Sequence, residues 1–394
     1  ATRDSHQRLP VTAGRPIRVL HVGKFYPPVP GGMERILQLL CENERPGVDS
    51  RVLVANLERT TVREDLAGVP VTRLASLGRI GSVGICPTLP FWLRRLGGDL
   101  VVVHEPNPVA LVSVVLARPR GRVLVWFHSE VVRPRWRYRL LYRPFLRAVL
   151  RRASRIIVSS PELARHAVEL QDFRDKCVVV PFGVDTERLA ATAEVRARVD
   201  ALRTRHQTPI LLFVGRLVPY KGVDVLLRAL HGIEATTLLV GDGPLRTMLE
   251  TQARELGLSR VRFLGEVSDT GLTALYHAAD LLVLPSVTRA EAFGVVQLEA
   301  MACGVPVVST NLPSGVPWVN QHDKTGLVVP PGDAAGLRQA LHALLTDRPR
   351  REALGRYARE RVGREFTLTR MVHLTSELYR EVLGDAPYAG SVGA

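Results

Sequence analysis

The sequence predicts an α/β protein with two domains, each built on a parallel β-sheet that is covered by helices on both faces. Its 394 residues are enough for two full hydrophobic cores. Short β-branched runs alternate with amphipathic segments, and the alternation occurs as one series in each half of the chain. No apolar run approaches the roughly 18 residues that a membrane span needs, so an integral membrane protein is not expected.

The predicted strands fall into two series. In the first half they are Ile17–Val22, Arg51–Ala55, Leu100–His104, Val123–Phe127, Arg155–Ser159 and Cys177–Pro181. In the second half they are Ile210–Gly215, Thr236–Gly241, Val261–Leu264, Asp280–Leu284, Val305–Ser309 and Leu327–Val329. A helix over Met33–Glu44 should follow the first strand, and a final amphipathic helix is predicted over Phe366–Leu383.

These series predict two Rossmann-like domains, over residues 1–190 and 191–365. The boundary is placed where a strand ends in Pro-Phe-Gly-Val-Asp at 181–185 and a polar helix follows. Residues 366–394 should supply a helix that packs back on the N-terminal domain, followed by a tail that we expect to be mobile.

Positive charge is concentrated in the first half. The chain has a net charge of +15, and residues 1–190 hold 30 Lys and Arg against 17 Asp and Glu. Nine arginines and several aromatic residues lie between 133 and 155 without an acidic residue, as in an interfacial helix on anionic lipid. The membrane candidates are Arg133, Arg135, Trp136, Arg137 and Arg139. The alternative is a solvated helical face with ordinary core aromatics.

Other classes of protein are disfavoured by what the sequence lacks. A basic chain could bind nucleic acid, but its cations are confined to one region, with no zinc pattern, helix-turn-helix signal or RNA-binding aromatic motif. The four cysteines show neither metal-ligand spacing nor a disulfide pattern, which predicts reduced thiols and no metal. Residues 1–16 carry no apolar signal core, so we expect a cytoplasmic chain, peripheral at most on the inner face of the membrane.

Two cations follow the first predicted strand of the second half. Arg216 and Lys221 should lie at the carboxyl end of Ile210–Gly215, close to the start of a helix. Together with the helix dipole they could hold a diphosphate without a metal. The alternative is that both are surface cations of a loop.

A pair of carboxylates follows another strand of the same series. Glu291 should lie just before a helix that contains Glu299, so that both could bracket a ligand on the helix N-terminus. The backbone amides there belong to Phe293, Gly294 and Val295. The alternative is that Glu291 only complements the helix dipole and Glu299 is a solvated helical residue.

A longer pattern decides between these alternatives. The segment Glu-Ala-Phe-Gly-Val-Val-Gln-Leu-Glu at 291–299 resembles the Glu-x7-Glu signature of family-4 retaining glycosyltransferases. Six other segments of the second half and two of the first fall in that family's order, so the resemblance covers nearly the whole chain. They begin at Phe213, Lys221, Val240, Phe263, Asp280, Thr325, Pro30 and Pro181.

The resemblance implies the GT-B architecture, in which two Rossmann-like domains face each other across a cleft. The first would bind the acceptor and the second the nucleotide sugar. Arg216 and Lys221 would neutralise the diphosphate, Glu299 would bind the ribose, and Glu291 and the nearby amides would contact the transferred sugar or the β-phosphate. Gly31 and Gly32 would let backbone amides approach the phosphates.

Two further positions gain roles from the same resemblance. His128 follows a strand where the family usually carries an active-site histidine, which contacts the donor sugar. His104 and Glu105 end another strand of the same sheet and are acceptor-site candidates. Their alternative role is packing or polar support.

The donor and acceptor are less defined. Where many relatives have Gly-Gly and a glutamate, this chain has Pro-Ser-Gly-Val-Pro-Trp-Val-Asn at 313–320. With His128-Ser129-Glu130 this version resembles bacterial transferases of surface polysaccharides, which favours GDP-mannose over a UDP-sugar. The resemblance implies same-face transfer to a saccharide or lipid-linked acceptor, with no cofactor.

A phosphorylase or a sugar-nucleotide epimerase of the same architecture is the alternative function. A dinucleotide-dependent oxidoreductase would need a complete Gly-x-Gly-x-x-Gly motif, which is missing. The oligomeric state is left open.

Overall fold

The computed structural model of the chain describes residues 15–80, 83–130, 140 and 142–384. These residues form two units. The first comprises the described parts of 15–126, 148–155 and 372–384, and the second those of 127–147 and 156–371. The membrane candidates at 133–139 and the tail beyond residue 384 lie outside the described residues.

The strands form two large sheets and one small hairpin. They are β1 (Ile17–Val22), β2 (Val48–Ala55), β3 (Val62–Leu66), β4 (Val69–Leu74), β5 (Arg79–Ile80), β6 (Val83–Gly84), β7 (Leu100–Glu105), β8 (Arg122–Phe127), β9 (Arg155–Val158), β10 (Cys177–Val179), β11 (Ile210–Val214), β12 (Thr236–Val240), β13 (Val261–Gly265), β14 (Leu281–Leu284), β15 (Val307–Thr310) and β16 (Gly326–Val329). All twelve predicted strands are present, with ends that differ from the predicted ones by at most three residues.

Helices connect the strands. They are Gly32–Glu42, Leu89–Leu96, Pro108–Ala117, Arg143–Arg152, Pro161–His166, Ala193–Arg205, Val223–Ala229, Arg246–Glu255, Asp269–Ala278, Val295–Ala302, Val316–Val319, Ala334–Thr346, Arg348–Glu365 and Leu368–Leu383, with 3-10 segments at Val168–Lys176 and Pro219–Lys221. Several begin at a residue whose side chain accepts a hydrogen bond from a first-turn amide, as Thr192, Ser268 and Asp333 do. Within the described chain no helix is both long and apolar enough to span a bilayer.

The second sheet has the strand order β13-β12-β11-β14-β15-β16 and is parallel throughout. This is the doubly wound order of a Rossmann fold. Its central strands β11 and β14 are buried along their whole length, as expected when helices cover both faces. The strand order reverses between β11 and β14.

The first sheet has the order β10-β9-β8-β7-β1-β2-β4-β3. Its order reverses between β1 and β7, so it is also Rossmann-like, and the predicted fold class is confirmed. The edge strand β3 is antiparallel to β4, across a turn where Ala67 and Gly68 both have positive φ. This hairpin was not predicted, because β3 is an exposed edge strand rich in charge, Val-Arg-Glu-Asp-Leu.

Two terminal helices follow the second sheet. Arg348–Glu365 was not predicted, because it buries only a narrow set of residues within a strongly charged segment. The last helix, Leu368–Leu383, brings Tyr379 to His21, with ring centroids 6.4 Å apart. Glu381 pairs with Arg155 in the same unit at 2.6 Å. The proposed domain boundaries at 190 and 365 stay a prediction.

Candidate functional site

The candidate site lies at the reversal of the second sheet. Arg216 and Lys221 follow β11, and Glu291 follows β14, which is the strand beside β11. Ligands of open parallel sheets bind beyond the carboxyl ends of the strands at such a reversal. The structure therefore brings together the two loops that the sequence analysis selected separately.

Gly222 holds these two loops against each other. Its φ is +64°, and a Cβ atom at this position would lie 2.1 Å from the carbonyl oxygen of Pro285. The amide of Val287 also donates to the carbonyl of Tyr220 at 2.8 Å. A glycine is required here because both the backbone angle and the close approach exclude a side chain.

Lys221 and Glu291 form a buried ion pair. The distance from Nζ to Oε2 is 2.6 Å, and the two side chains are only 10% and 9% exposed. The hydroxyl of the buried Ser286 donates to the same Glu291 oxygen at 2.9 Å. Burial lowers the pKa of Lys221, but the charge of Glu291, the nearby Tyr220 and the hydrogen bond to Glu291 together raise it above its usual value, so the ammonium group keeps its proton.

Arg216 and Tyr220 lie close to the ion pair of Lys221 and Glu291. Arg216 is exposed at the end of β11. Burial raises the pKa of the Tyr220 hydroxyl, which also feels the charges of Lys221, Glu291 and Arg216. The loop after β11 thus presents one exposed and one buried cation, which is a suitable arrangement for an anionic ligand.

Glu299 occupies a separate position on the helix Val295–Ala302. Its Oε2 accepts a hydrogen bond from the hydroxyl of Tyr276 at 2.6 Å, and its Oε1 lies 3.9 Å from Nη2 of Arg188. Burial and the charge of Glu299 raise the pKa of Tyr276 well above its usual value, so this hydroxyl remains a donor. The alternative of a solvated helical glutamate does not describe Glu299, whose side chain is 19% exposed.

The helix Val295–Ala302 begins at a glycine. Gly294 has a φ of +72°, and a Cβ atom there would lie 2.7 Å from Leu284. Phe293 is buried, and its carbonyl accepts a hydrogen bond from the Gln297 side chain. This turn positions the first amides of the helix beyond β14, where they could bind a negatively charged or hydroxyl oxygen.

His128 joins this turn through an aromatic chain. It is 4% exposed and stacks on Phe182 with ring centroids 5.6 Å apart. Phe182 contacts Phe293 edge to face at 5.1 Å, and Phe293 in turn contacts Trp318. The side chains of His128 and of the turn before Val295 are therefore positioned by one set of rings within the second unit.

The four candidate residues of the first unit are two buried polar side chains and two exposed glycines. His104 is buried, stacks on Trp126, and its Nε2 lies 3.0 Å from Nδ1 of His21. The Glu105 carboxylate is also buried and accepts the amide hydrogen of Asn107. Gly31 and Gly32 are exposed at the start of the helix Gly32–Glu42, and a Cβ atom at Gly32 would meet no atom within 4 Å. Their acceptor and phosphate roles stay predictions.

A second ion pair connects the loop after β14 to the segment after β8. Nε of Arg289 lies 3.0 Å from Oε2 of Glu130, whose Oε1 accepts the amide hydrogen of Val168 at 3.1 Å. Burial and a hydrogen bond with Glu169 raise the pKa of Glu130 to about 7, although Val168 and Arg289 oppose the shift. Sequence reasoning missed this pair, as well as Arg188, Ser286 and Tyr276.

The raised pKa of Glu130 predicts a pH-dependent stability. The pKa of a glutamate side chain is about 4.3 in an unfolded chain, and that of Glu130 in the folded chain is about 7. Between these pH values the folded chain therefore binds more protons than the unfolded chain. Stability must therefore fall as the pH rises through this window. Glu130→Gln should remove this loss, so wild type should lose stability relative to the variant between pH 5 and pH 8. Urea unfolding at pH 5 and pH 8 measures the free energy of unfolding of both proteins, and Glu58→Gln, at an exposed glutamate, is the control. A stability difference between wild type and Glu130→Gln that does not change with pH would contradict the raised pKa of Glu130.

Known proteins resemble the chain over nearly its full length. Residues 30–188 match the family model described as Glycosyltransferase Family 4, and residues 196–361 match Glycosyl transferases group 1. The D-rhamnosyltransferase WbpZ of Pseudomonas aeruginosa is 34% identical over 89% of this chain and 92% of that protein. The O-antigen chain mannosyltransferase C of Escherichia coli is 30% identical over 93% of this chain and 99% of that protein.

Solved structures resemble the fold. A sucrose-phosphate synthase of Thermosynechococcus elongatus has a TM-score of 0.77 over 94% of this chain and 100% of that chain, at 24% sequence identity. The sucrose-phosphate synthase therefore shows the fold alone, whereas the two transferases are 34% and 30% identical to this chain and are covered over 92% and 99% of their length.

Proposed function

The chain belongs to the family 4 glycosyltransferases of the GT-B fold, and from this premise we propose that it is a metal-independent hexosyltransferase that retains the anomeric configuration of its donor. The buried pair of Lys221 and Glu291 at the reversal of the second sheet carries the proposal. A buried ammonium group held beyond β11 is poised to meet the negative charge that develops on a departing diphosphate.

Each residue of the site then has a defined task. Lys221 and Arg216 neutralise the diphosphate, which is work that a divalent metal does in other transferases. Glu299, oriented by the Tyr276 hydroxyl, accepts hydrogen bonds from the ribose hydroxyls. Glu291 and the amides of 293–295 hold the transferred sugar.

Transfer proceeds on one face of the sugar. The acceptor oxygen forms its bond to the anomeric carbon as the bond to the diphosphate breaks, and a phosphate oxygen takes the proton of the acceptor hydroxyl. No side chain serves as a nucleophile. The protein contributes by positioning the reactants and by stabilising charge.

The donor is proposed to carry a sugar of the manno configuration, with GDP-mannose favoured. The two curated relatives are named for mannose and D-rhamnose, and D-rhamnose is 6-deoxy-D-mannose. Both sugars therefore have the same axial hydroxyl at carbon 2. A saccharide, free or linked to lipid, is the acceptor, and a role of the chain in surface polysaccharide synthesis follows.

A thermal-shift screen tests the donor assignment. A ligand that binds only the folded chain at 100 times its dissociation constant adds about 2.7 kcal/mol to the free energy of unfolding. GDP-mannose should raise the melting temperature of the purified chain most among GDP, UDP and ADP and their common sugars. A larger shift with a UDP-sugar would show that the donor carries uridine and not guanosine. If no nucleotide sugar shifted the melting temperature, the proposed function would be contradicted.

His128 is proposed to contact the donor sugar, and a pair of variants separates this role from packing. His128→Phe keeps an aromatic ring to stack on Phe182 but removes both ring nitrogens. We expect transfer to fall by roughly tenfold or more in both His128→Phe and His128→Ala, with the melting temperature kept only in the former. Transfer by His128→Phe at the wild-type rate would show that the ring serves packing alone.

A further inference from the structure

Three possible metal ligands from three elements meet inside the first unit. His21 lies in β1, Cys41 in the helix Gly32–Glu42, and Glu44 in the connection to β2. One ligand atom of each lies within 4.8 Å of the other two. His21 and Cys41 are buried, and the side chain of Glu44 is 11% exposed.

We propose that His21, Cys41 and Glu44 bind a zinc ion, a site separate from the nucleotide-sugar site of the second unit. An imidazole nitrogen, a thiolate sulfur and a carboxylate oxygen are the ligands that zinc takes in proteins. One thiolate and one carboxylate also cancel the two positive charges of the ion. The loaded site is then neutral, and burial does not oppose it as it would oppose an uncompensated charge.

Neighbouring side chains orient two of the three ligands. Nδ1 of His21 lies 3.0 Å from Nε2 of His104. Nε2 of His21 lies 3.2 Å from the hydroxyl oxygen of Ser50 and 3.9 Å from Oε1 of Glu44, so an ion at this nitrogen would take the place of the Ser50 hydroxyl. The hydroxyl of Ser50 donates to the same Glu44 oxygen. Partners of this kind fix the ring and the carboxylate of metal ligands.

The three ligand atoms lie within 4.8 Å of one another and must come closer together to bind an ion. Zinc bonds of about 2.0–2.3 Å in tetrahedral geometry place neighbouring ligand atoms about 3.3–3.7 Å apart. The His21 to Glu44 distance of 3.9 Å is slightly longer, and Glu44 is the most exposed of the three and lies outside regular structure. Its side chain can therefore close on the ion and also provides the route of entry.

Cobalt binding to the full chain tests the site, since Co²⁺ takes zinc ligands and reports them by absorption. After chelation and desalting, wild type should bind one equivalent of Co²⁺ with a thiolate-to-cobalt charge-transfer band in the near ultraviolet. Zn²⁺ should abolish this band and raise the melting temperature. Cys41→Ser and Glu44→Gln should each lose the band, whereas Cys86→Ser, a buried cysteine of the same unit outside the cluster, should keep it.

The wild-type spectrum decides even where a variant fails to fold. Absence of the charge-transfer band in wild type would overturn the zinc site. A band that persists in Cys41→Ser, or that is lost in Cys86→Ser, would assign the metal to another cysteine and would also overturn it. Neither result bears on nucleotide-sugar binding, which the donor screen measures separately.

Discussion

Replacing Lys221 by methionine should lower the rate of sugar transfer by about 10²–10³-fold. Methionine fills a similar volume but has no charge, so the departing diphosphate loses the buried ammonium group beyond β11. The effect should fall on kcat more than on KM, because the negative charge on the leaving group grows in the transition state. Initial rates measured over a range of donor concentrations at saturating acceptor give kcat and KM separately.

A matched variant controls for the loss of one positive charge. Lys324 is an exposed lysine of the same unit, and Lys324→Met should transfer sugar at the wild-type rate. If folded Lys221→Met also transferred at nearly that rate, the ammonium group would not stabilise the leaving group.

Removing Glu291 should affect both activity and stability. Glu291→Gln leaves the Lys221 ammonium group buried without its counter-charge, and breaking such a pair costs about 3–5 kcal/mol. The double variant Lys221→Met/Glu291→Gln should recover much of this loss, because no buried charge remains. Urea unfolding of the two single variants and the double variant gives the coupling energy between the two side chains.

Activity should not follow this recovery. The double variant lacks both groups of the proposed site, so its transfer should stay at or below that of Lys221→Met. Glu352→Gln, which removes one partner of an exposed ion pair, should leave stability near wild type. A Glu291→Gln variant that is as stable as Glu352→Gln would contradict a tightly coupled pair.

The sheets were predictable because buried parallel strands are continuous apolar runs. Ile210–Val214 and Leu281–Leu284 are fully buried, so their residue types alone identify them as strands. Once strands are known, the loops beyond their carboxyl ends are the places to search for ligand-binding residues. This rule, applied without knowledge of the strand order, selected Lys221 and Glu291, and the order then put β11 next to β14.

Contacts between distant segments could not be predicted in this way. Tyr276 reads as an ordinary helical aromatic until its hydroxyl is seen to meet Glu299. The pairing of Arg289 with Glu130 joins two loops that no sequence pattern relates. Cysteine spacing likewise gave no sign of a metal site, because His21, Cys41 and Glu44 come from different elements.

Proton NMR of the glycoside product tests retaining transfer by this chain most directly. Wild type, incubated with GDP-mannose and a mannosyl acceptor without added Mg²⁺ or Mn²⁺, should form a glycoside with the anomeric configuration of the donor. Lys221→Met should form it far more slowly. An inverted product, a free sugar phosphate or an epimerised donor would contradict the proposed reaction.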